Sequence, residues 1–285
     1  MTASSLANPT ATRAVLERFG LATKHRLGQN FLVNDAVIER ICGLAELGPD
    51  DVVLEVGPGI GTLTVALLDR AGAVVAVEAD RELEQVLAVT CSGTGGRLNL
   101  VMGDALRVPV EMLVAGGDAA VAAPNKFVAN LPYQVAATVI LRFFQELSCL
   151  ERAVVMVQRE VADRIAAAPG GRDYGAYTAK LALLGHVTGR FEVGPGNFMP
   201  PPHVDSAVVR IDRSPIVPVG EALAVSEVID AAFAQRRKTI RNSMRARGYD
   251  AAALDAAFAA TGISPTCRAE TVPPEGFVAL WRALA

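Results

Sequence analysis

Cysteine and histidine are scarce in this chain, and the few present are scattered. Its four cysteines (Cys42, Cys91, Cys149, Cys267) lie far apart, with no C-x-x-C pair, and its three histidines are equally dispersed. Neither a zinc site nor a disulfide framework fits that spacing, and it predicts a reducing, cytoplasmic setting with no metal. No apolar run approaches the roughly 18 residues that a membrane span needs. Residues 1–20 hold no apolar stretch of the kind a signal peptide carries, so a soluble chain with no membrane partner is expected. Internal repeats are absent. Positive charge is not in excess either: the net charge is −3. That excludes a surface coated throughout for nucleic acid but leaves room for a local basic patch, because steering depends on where charges sit.

What is present is apolar material in short, regular packets. Apolar residues make up 51% of the 285, enough for the core of one large domain and a smaller one. Residues 1–23 read as a helix-bearing arm with more basic than acidic side chains (Arg13 and Arg18 against Glu17, with Lys24 just beyond). A helix follows, with Val37, Ile38, Ile41 and Leu44 at helical spacing, Asn34 or Asp35 as its cap and Gly48-Pro49 closing it. Short, almost wholly apolar strands then alternate with helices. Strands are predicted at 52–56, 74–77, 98–102, 126–129 and 153–157, with helices at 62–70, 81–89, 135–147 and 160–168. That alternation indicates a parallel sheet covered on both faces. Segments 186–193 and 206–212 read as an antiparallel addition joined by a Gly/Pro-rich loop. After residue 213 the composition turns helical, with helices predicted at 227–247 and 251–260. The expected organisation is a domain over 1–213 and a second over 214–285.

Three sites carry chemistry. Glu55-Val-Gly57-Pro-Gly59-Ile-Gly61 joins the first of these strands to a helix, where glycines let the backbone turn tightly and approach a ligand. A dinucleotide fingerprint would place its third glycine where Thr62 stands; the spacing Gly57-x-Gly59-x-Gly61 instead resembles the first motif of S-adenosylmethionine methyltransferases. Glu78 ends the next strand, placed to accept both ribose hydroxyls of an adenosine, and Asp104 follows the third, where it would accept from the cofactor's adenine amine. Asn130-Leu131-Pro132-Tyr133 follows the fourth. An adenine N6 amine is a poor nucleophile because its lone pair is delocalised into the ring. Two acceptors, the Asn130 side-chain oxygen and the Leu131 carbonyl, would let that nitrogen become tetrahedral. Pro132 would fix the turn, and the Tyr133 ring would stack on the base.

Taken together, the chain resembles the bacterial small-subunit ribosomal RNA adenine-N6,N6-dimethyltransferases over residues 24–285. The resemblance runs through His25-Arg-Leu-Gly-Gln-Asn30-Phe-Leu32, the glycine turn, Glu78, Gly103-Asp104-Ala and Asn130-Leu-Pro-Tyr133. It continues through Gln158-Arg-Glu-Val-Ala, Phe198-Met-Pro-Pro-Pro-His-Val-Asp-Ser206 and Phe233-Ala-Gln-Arg-Arg-Lys-Thr-Ile-Arg-Asn-Ser243. It implies an α/β fold: a Rossmann-like class I methyltransferase domain with a mostly parallel seven-stranded sheet, and a small all-helical C-terminal domain. It also implies a monomer that uses S-adenosylmethionine to dimethylate two adjacent adenines in the 3′-terminal hairpin loop of 16S rRNA, within the 30S subunit or its precursor.

By motif match, Asn30, Leu32, Glu55, Gly57, Gly59, Gly61, Glu78, Asp104 and Asn130 would hold the cofactor. Tyr133 and Phe198 would sandwich a flipped adenine. Arg236, Arg237, Lys238 and Arg241 belong to a run of six basic residues without an acid between 235 and 247, expected to bind RNA phosphates. The large-subunit RNA adenine methyltransferases and the DNA adenine methyltransferases share the glycine turn and the N-x-P-Y motif. A ribosome assembly factor, in which binding outweighs catalysis, is a further alternative.

Overall fold

The computed structural model describes residues 2–22, 29–114 and 122–285. Lys24 and the His25–Gly28 part of the first motif lie outside them. The strands are β1 (Phe31–Leu32), β2 (Val52–Val56), β3 (Ala73–Glu78), β4 (Leu98–Met102), β5 (Lys126–Asn130), β6 (Arg152–Gln158), β7 (Gly185–Val193), β8 (Phe198–Met199) and β9 (Ser206–Arg213). The helices are α1 (Pro9–Arg18), α2 (Asp35–Ala45), α3 (Thr62–Leu68), α4 (Leu83–Thr90), α5 (Val110–Val114), α6 (Ala136–Glu146), α7 (Arg159–Ile165), α8 (Ala176–Ala182), α9 (Val219–Phe233), α10 (Ile240–Ala246), α11 (Ala251–Thr261) and α12 (Pro274–Leu284). Among the described residues no helix is long and apolar enough to cross a membrane.

Seven strands form one sheet in the order β4-β3-β2-β5-β6-β9-β7. Strands β2 to β6 run parallel and β9 is antiparallel to β6. Every residue of β2 is buried, as expected of a central strand with helices on both faces. Helix α6 lays Val139, Ile140, Phe143 and Phe144 against the sheet, and the Phe143 ring meets Phe127 of β5 edge-on at 5.3 Å. The chain leaves β2 towards β3 and β4, then returns to place β5 on the other side of β2. The order therefore reverses there, and a crevice opens at the carboxyl ends of β2 and β5, where ligands of such sheets bind.

The opposite end of the sheet is closed by charge. The buried Lys126 amine donates to the carbonyls of Ala45 (3.1 Å) and Glu46 (2.7 Å) and pairs with Asp51 at 3.2 Å. Arg152 and Arg210 donate to the carbonyls of Ala45 and Leu44, and both hold Glu46 at 2.6 Å. Cations at a helix C-terminus complement its dipole and satisfy its orphan carbonyls. The same arginines, with Thr188, bond Asp212. Burial works against that carboxylate, but the hydrogen bonds outweigh it and hold its pKa at about 2.

The chain forms two compact units, 1–162 with 187–212, and 163–186 with 213–285. The chain returns to the second unit at Arg213. Residues 163–186, expected with the catalytic domain, group instead with the C-terminal helices. Ser214 N–H donates to the Leu184 carbonyl (3.0 Å), the buried Tyr174 hydroxyl to that of Val272 (3.0 Å), and Lys180 pairs with Asp230 at 2.6 Å.

The single helix expected over 227–247 is two. Helix α9 ends at Phe233, and α10 starts after Thr239, whose hydroxyl accepts from Asn242 N–H. The Gln235 N–H turns aside to the buried Ser243 hydroxyl (3.0 Å) instead of continuing the helix.

Candidate active site

The crevice at the sheet's switch point is lined by Gln29 to Leu32, Glu55, Gly57 to Gly59, Thr62, Leu63, Glu78, Leu83 and Asn130 to Tyr133. The glycine turn forms one wall. Gly57 and Gly59 have φ of +71° and +61°, a region where a Cβ strains the backbone. A Cβ on Gly57 would stand 3.3 Å from Pro132, and one on Gly59 would stand 3.1 Å from the Phe31 ring. The turn therefore runs hard against the Asn130–Tyr133 loop on one side and β1 on the other.

Gly61 has a different task. Its φ of +88° caps α3, and a Cβ there would meet Thr90 of α4 and Cys91, which follows it, at 3.0 and 3.2 Å. Gly61 permits close helix packing behind the turn and is not in the lining.

Glu78 closes the end of β3. One carboxylate oxygen accepts from Gly59 N–H (3.2 Å) and the other from Asp80 N–H (2.8 Å), with the Ala79 amide also favouring the carboxylate, so acceptor capacity remains for a ligand. Burial pushes its pKa up, against the pull of those amides. Glu55 lies deeper, on the floor: burial pushes its carboxyl up to about 8, and its Oε2 has no hydrogen-bond partner among the described residues. The Thr62 hydroxyl is buried and partnerless in the same way. Buried polar atoms left unpaired at a cleft call for a ligand or water to satisfy them.

Asn130 ends β5. Its amide nitrogen donates to the Asn30 carbonyl at 3.2 Å, which assigns the side-chain oxygen as its acceptor. The Leu131 N–H is taken by the Met156 carbonyl, anchoring the turn to β6 while Leu131 itself is buried. The half-buried Tyr133 lines the cleft, and its hydroxyl lies 2.7 Å from that of Ser206, a fully buried residue of β9. Burial also raises the Tyr133 pKa.

Besides Gly61, two of the expected cofactor and base-stacking residues stand apart from this lining. Asp104 is exposed beyond β4, its carboxylate accepting from Leu106 N–H and pairing with Arg107 at 3.7 Å. Phe198 is in β8, paired with Leu32 of β1, and its ring is buried in the main apolar core, so it is not presented to a base. Its burial reflects the two-stranded β1–β8 ladder, which pins the Asn30–Leu32 segment over the cleft. Sequence reasoning did not assign Gln29, Phe31, Thr62, Leu83 or Ser206. Three of these lie in quoted motifs (Gln29 and Phe31 in the first, Ser206 in the Pro-rich one), but motif membership alone gave no role. In the second unit, Arg236, Arg237 and Lys238 are exposed on the turn before α10 rather than on a helix. Arg241 is held bidentately by Asp255 (2.5 and 2.7 Å).

Comparison with known proteins follows the same lines. Residues 20–285 match the family described as ribosomal RNA adenine dimethylase. A ribosomal RNA small subunit methyltransferase A from Nocardia farcinica is 43% identical, covering 97% of this chain and 95% of its own. One of the same name from Moorella thermoacetica is 39% identical, covering 98% and 99%. Among solved structures, the 23S rRNA methyltransferase ErmE is 29% identical with a TM-score of 0.64, covering 90% and 99%. A dimethyladenosine transferase from Plasmodium falciparum has the same fold, with a TM-score of 0.73 at 22% identity, covering 88% and 95%.

Proposed function

The chain belongs to the ribosomal RNA adenine dimethylase family, and from that premise we propose how its cleft works: it binds S-adenosylmethionine and presents two acceptors to the N6 amine of an adenine. The reaction is dimethylation of adenine in small-subunit ribosomal RNA, the two targets being adjacent adenines of the 3′-terminal hairpin loop of 16S rRNA. The small-subunit assignment draws on relatives of 39–43% identity named for that subunit, against 29% for the large-subunit enzyme.

The cleft suits the cofactor in three respects. Its glycine turn keeps backbone, and no Cβ, at the two positions nearest Pro132 and Phe31. Glu78 offers paired carboxylate oxygens at the strand end, where a ribose would sit. Glu55 and Thr62 hold buried polar atoms that lack partners among the described residues. Asn30, Leu32, Gly57, Gly59 and Glu78 are the residues to hold the cofactor, with Asp104 beyond the rim. S-adenosylmethionine supplies an electrophilic methyl group on a sulfonium.

The observation that carries the reading is Asn130, a residue of the cleft lining whose amide nitrogen donates to the Asn30 carbonyl, which leaves Oδ1 as the acceptor of the side chain. Together with the Leu131 carbonyl it holds the two N–H groups of the target amine. The lone pair then turns out of the ring plane towards the methyl carbon. No base is needed beforehand, because the extra proton becomes acidic only once nitrogen has been alkylated. Tyr133 stacks on the flipped base, its ring direction set by Ser206. The direct test is transfer of labelled methyl groups to unmodified 30S subunits with nucleoside analysis. N6,N6-dimethyladenosine in 16S rRNA is expected; label in another nucleoside, or only in 23S rRNA, would overturn the proposal.

A further inference from the structure

The family match begins at residue 20, yet the chain before it is built into the fold. Asn8 caps α1 through Ala11 N–H, and Pro9 opens the helix. The N–H groups of Ala3 and Ser4 both donate to the Asp35 carboxylate at the start of α2 (3.0 and 2.8 Å), and Ala3 and Ala7 are buried in the main core. From this anchor α1 runs to Leu16, which forms one apolar cluster with Phe31, Ile60, Leu83 and Val86.

The members of that cluster are not arbitrary. Phe31 and Leu83 line the cofactor cleft, and Ile60 lies inside the glycine turn. Phe31 abuts Gly59, whose N–H binds Glu78. A small shift of Phe31 or Ile60 would move the Gly59 amide, and with it the Glu78 carboxylate. Well-packed clusters transmit such shifts because they contain no slack.

We infer that α1 is the brace of the cofactor cleft, and that Leu16 is a positioning residue for cofactor binding acting through Phe31 and Ile60. The inference rests on the reading of the cleft as an S-adenosylmethionine site.

Leu16→Ala removes the contact and opens a cavity beside the turn. The expected result is a rise in cofactor Kd and KM of about tenfold, equivalent to about 1.4 kcal/mol. The kcat at saturating cofactor and the KM for unmodified 30S subunits should stay within about twofold of the parent, since uniform binding is what is lost. Leu16→Met, which refills the space, should restore the affinity. If Leu16→Ala does not fold, Leu16→Val gives the same readout at a smaller amplitude. Asp35→Asn, which weakens the anchor without touching α1, should shift Kd the same way.

Calorimetry with S-adenosylmethionine and steady-state methyl transfer on the full chain make the measurements. Unchanged cofactor affinity in folded Leu16→Ala would overturn the inference. So would a fall in kcat and melting temperature with no change in cofactor KM, because that marks a merely structural helix. Failure of the parent chain to bind S-adenosylmethionine would instead overturn the reading of the cleft itself.

Discussion

Glu55 and Tyr133 show what single residues gain from their surroundings. Glu55 ionises near 4.5 when exposed, but burial in the fold pushes it up to about 8. A carboxyl with a raised folded pKa stabilises the fold fully below its unfolded pKa, and that contribution is lost as pH rises through the folded value. Each tenfold difference in ionisation is worth about 1.4 kcal/mol. Glu55→Gln, which cannot ionise, should therefore flatten the loss of thermal stability between about pH 5 and pH 8. Melting curves across that range test this; an unchanged slope would mean that the carboxyl is ionised in the fold.

The sequence singles out Tyr133 as a candidate stacking ring but not its partner, because Ser206 lies 73 positions away and meets it only through sheet topology. Tyr133→Phe keeps the ring but strands a buried hydroxyl, a loss of about 1–3 kcal/mol in stability. Tyr133→Ala should lose a further 1–3 kcal/mol or so in binding the flipped base. Single-turnover rates and melting temperatures of the two variants separate these effects. A Phe variant as slow as the Ala variant would mean that the hydroxyl, not the ring, does the work.

At the scale of elements, what the sequence announced was what local pattern can announce. Apolar runs located β2 to β6, and of the two candidate caps, Asn34 and Asp35, it is Asn34 that starts α2. The break at 234–239 was hidden because residues 227–247 contain no glycine or proline. It depends on Thr239 acting as a cap and on Ser243 taking the Gln235 N–H, neither distinguishable by residue type from a continuous helix. The β1–β8 ladder was hidden for another reason: two-residue strands carry no periodicity.

The break changes the expected roles of the basic residues. Arg236, Arg237 and Lys238 are exposed on the turn and form no ion pair among the described residues, while Arg241 is engaged by Asp255. Replacing Arg236 and Arg237 by Gln should flatten the dependence of log affinity for 30S RNA on log salt by about 1.4–1.8, with cofactor binding intact. Arg241→Gln should leave the slope nearly unchanged and lower thermal stability. A flattened slope for Arg241→Gln alone would reverse that division.

The whole molecule brings together what is remote in the chain. Asn30, Glu55, Glu78 and Asn130 reach one cleft because the strand order reverses between β2 and β5, a consequence of crossover connections that no local window contains. The placement of the glycine turn, Glu78 and Asn130 at strand ends was readable because each strand is a local apolar run. The membership of 163–186 in the second unit was not, because it follows from packing between segments separated in sequence.

The central claim is that Asn130 acts on the transition state, its oxygen accepting an N–H bond that strengthens as the amine becomes tetrahedral. The decisive measurement is single-turnover methyl transfer by Asn130→Ala on unmodified 30S subunits at saturating RNA and cofactor. The rate should fall on the order of 10²–10³-fold, the loss seen when a comparable transition-state donor is removed. A variant that reaches the parent rate at saturation, losing only cofactor affinity, would make Asn130 a binding residue and contradict the account.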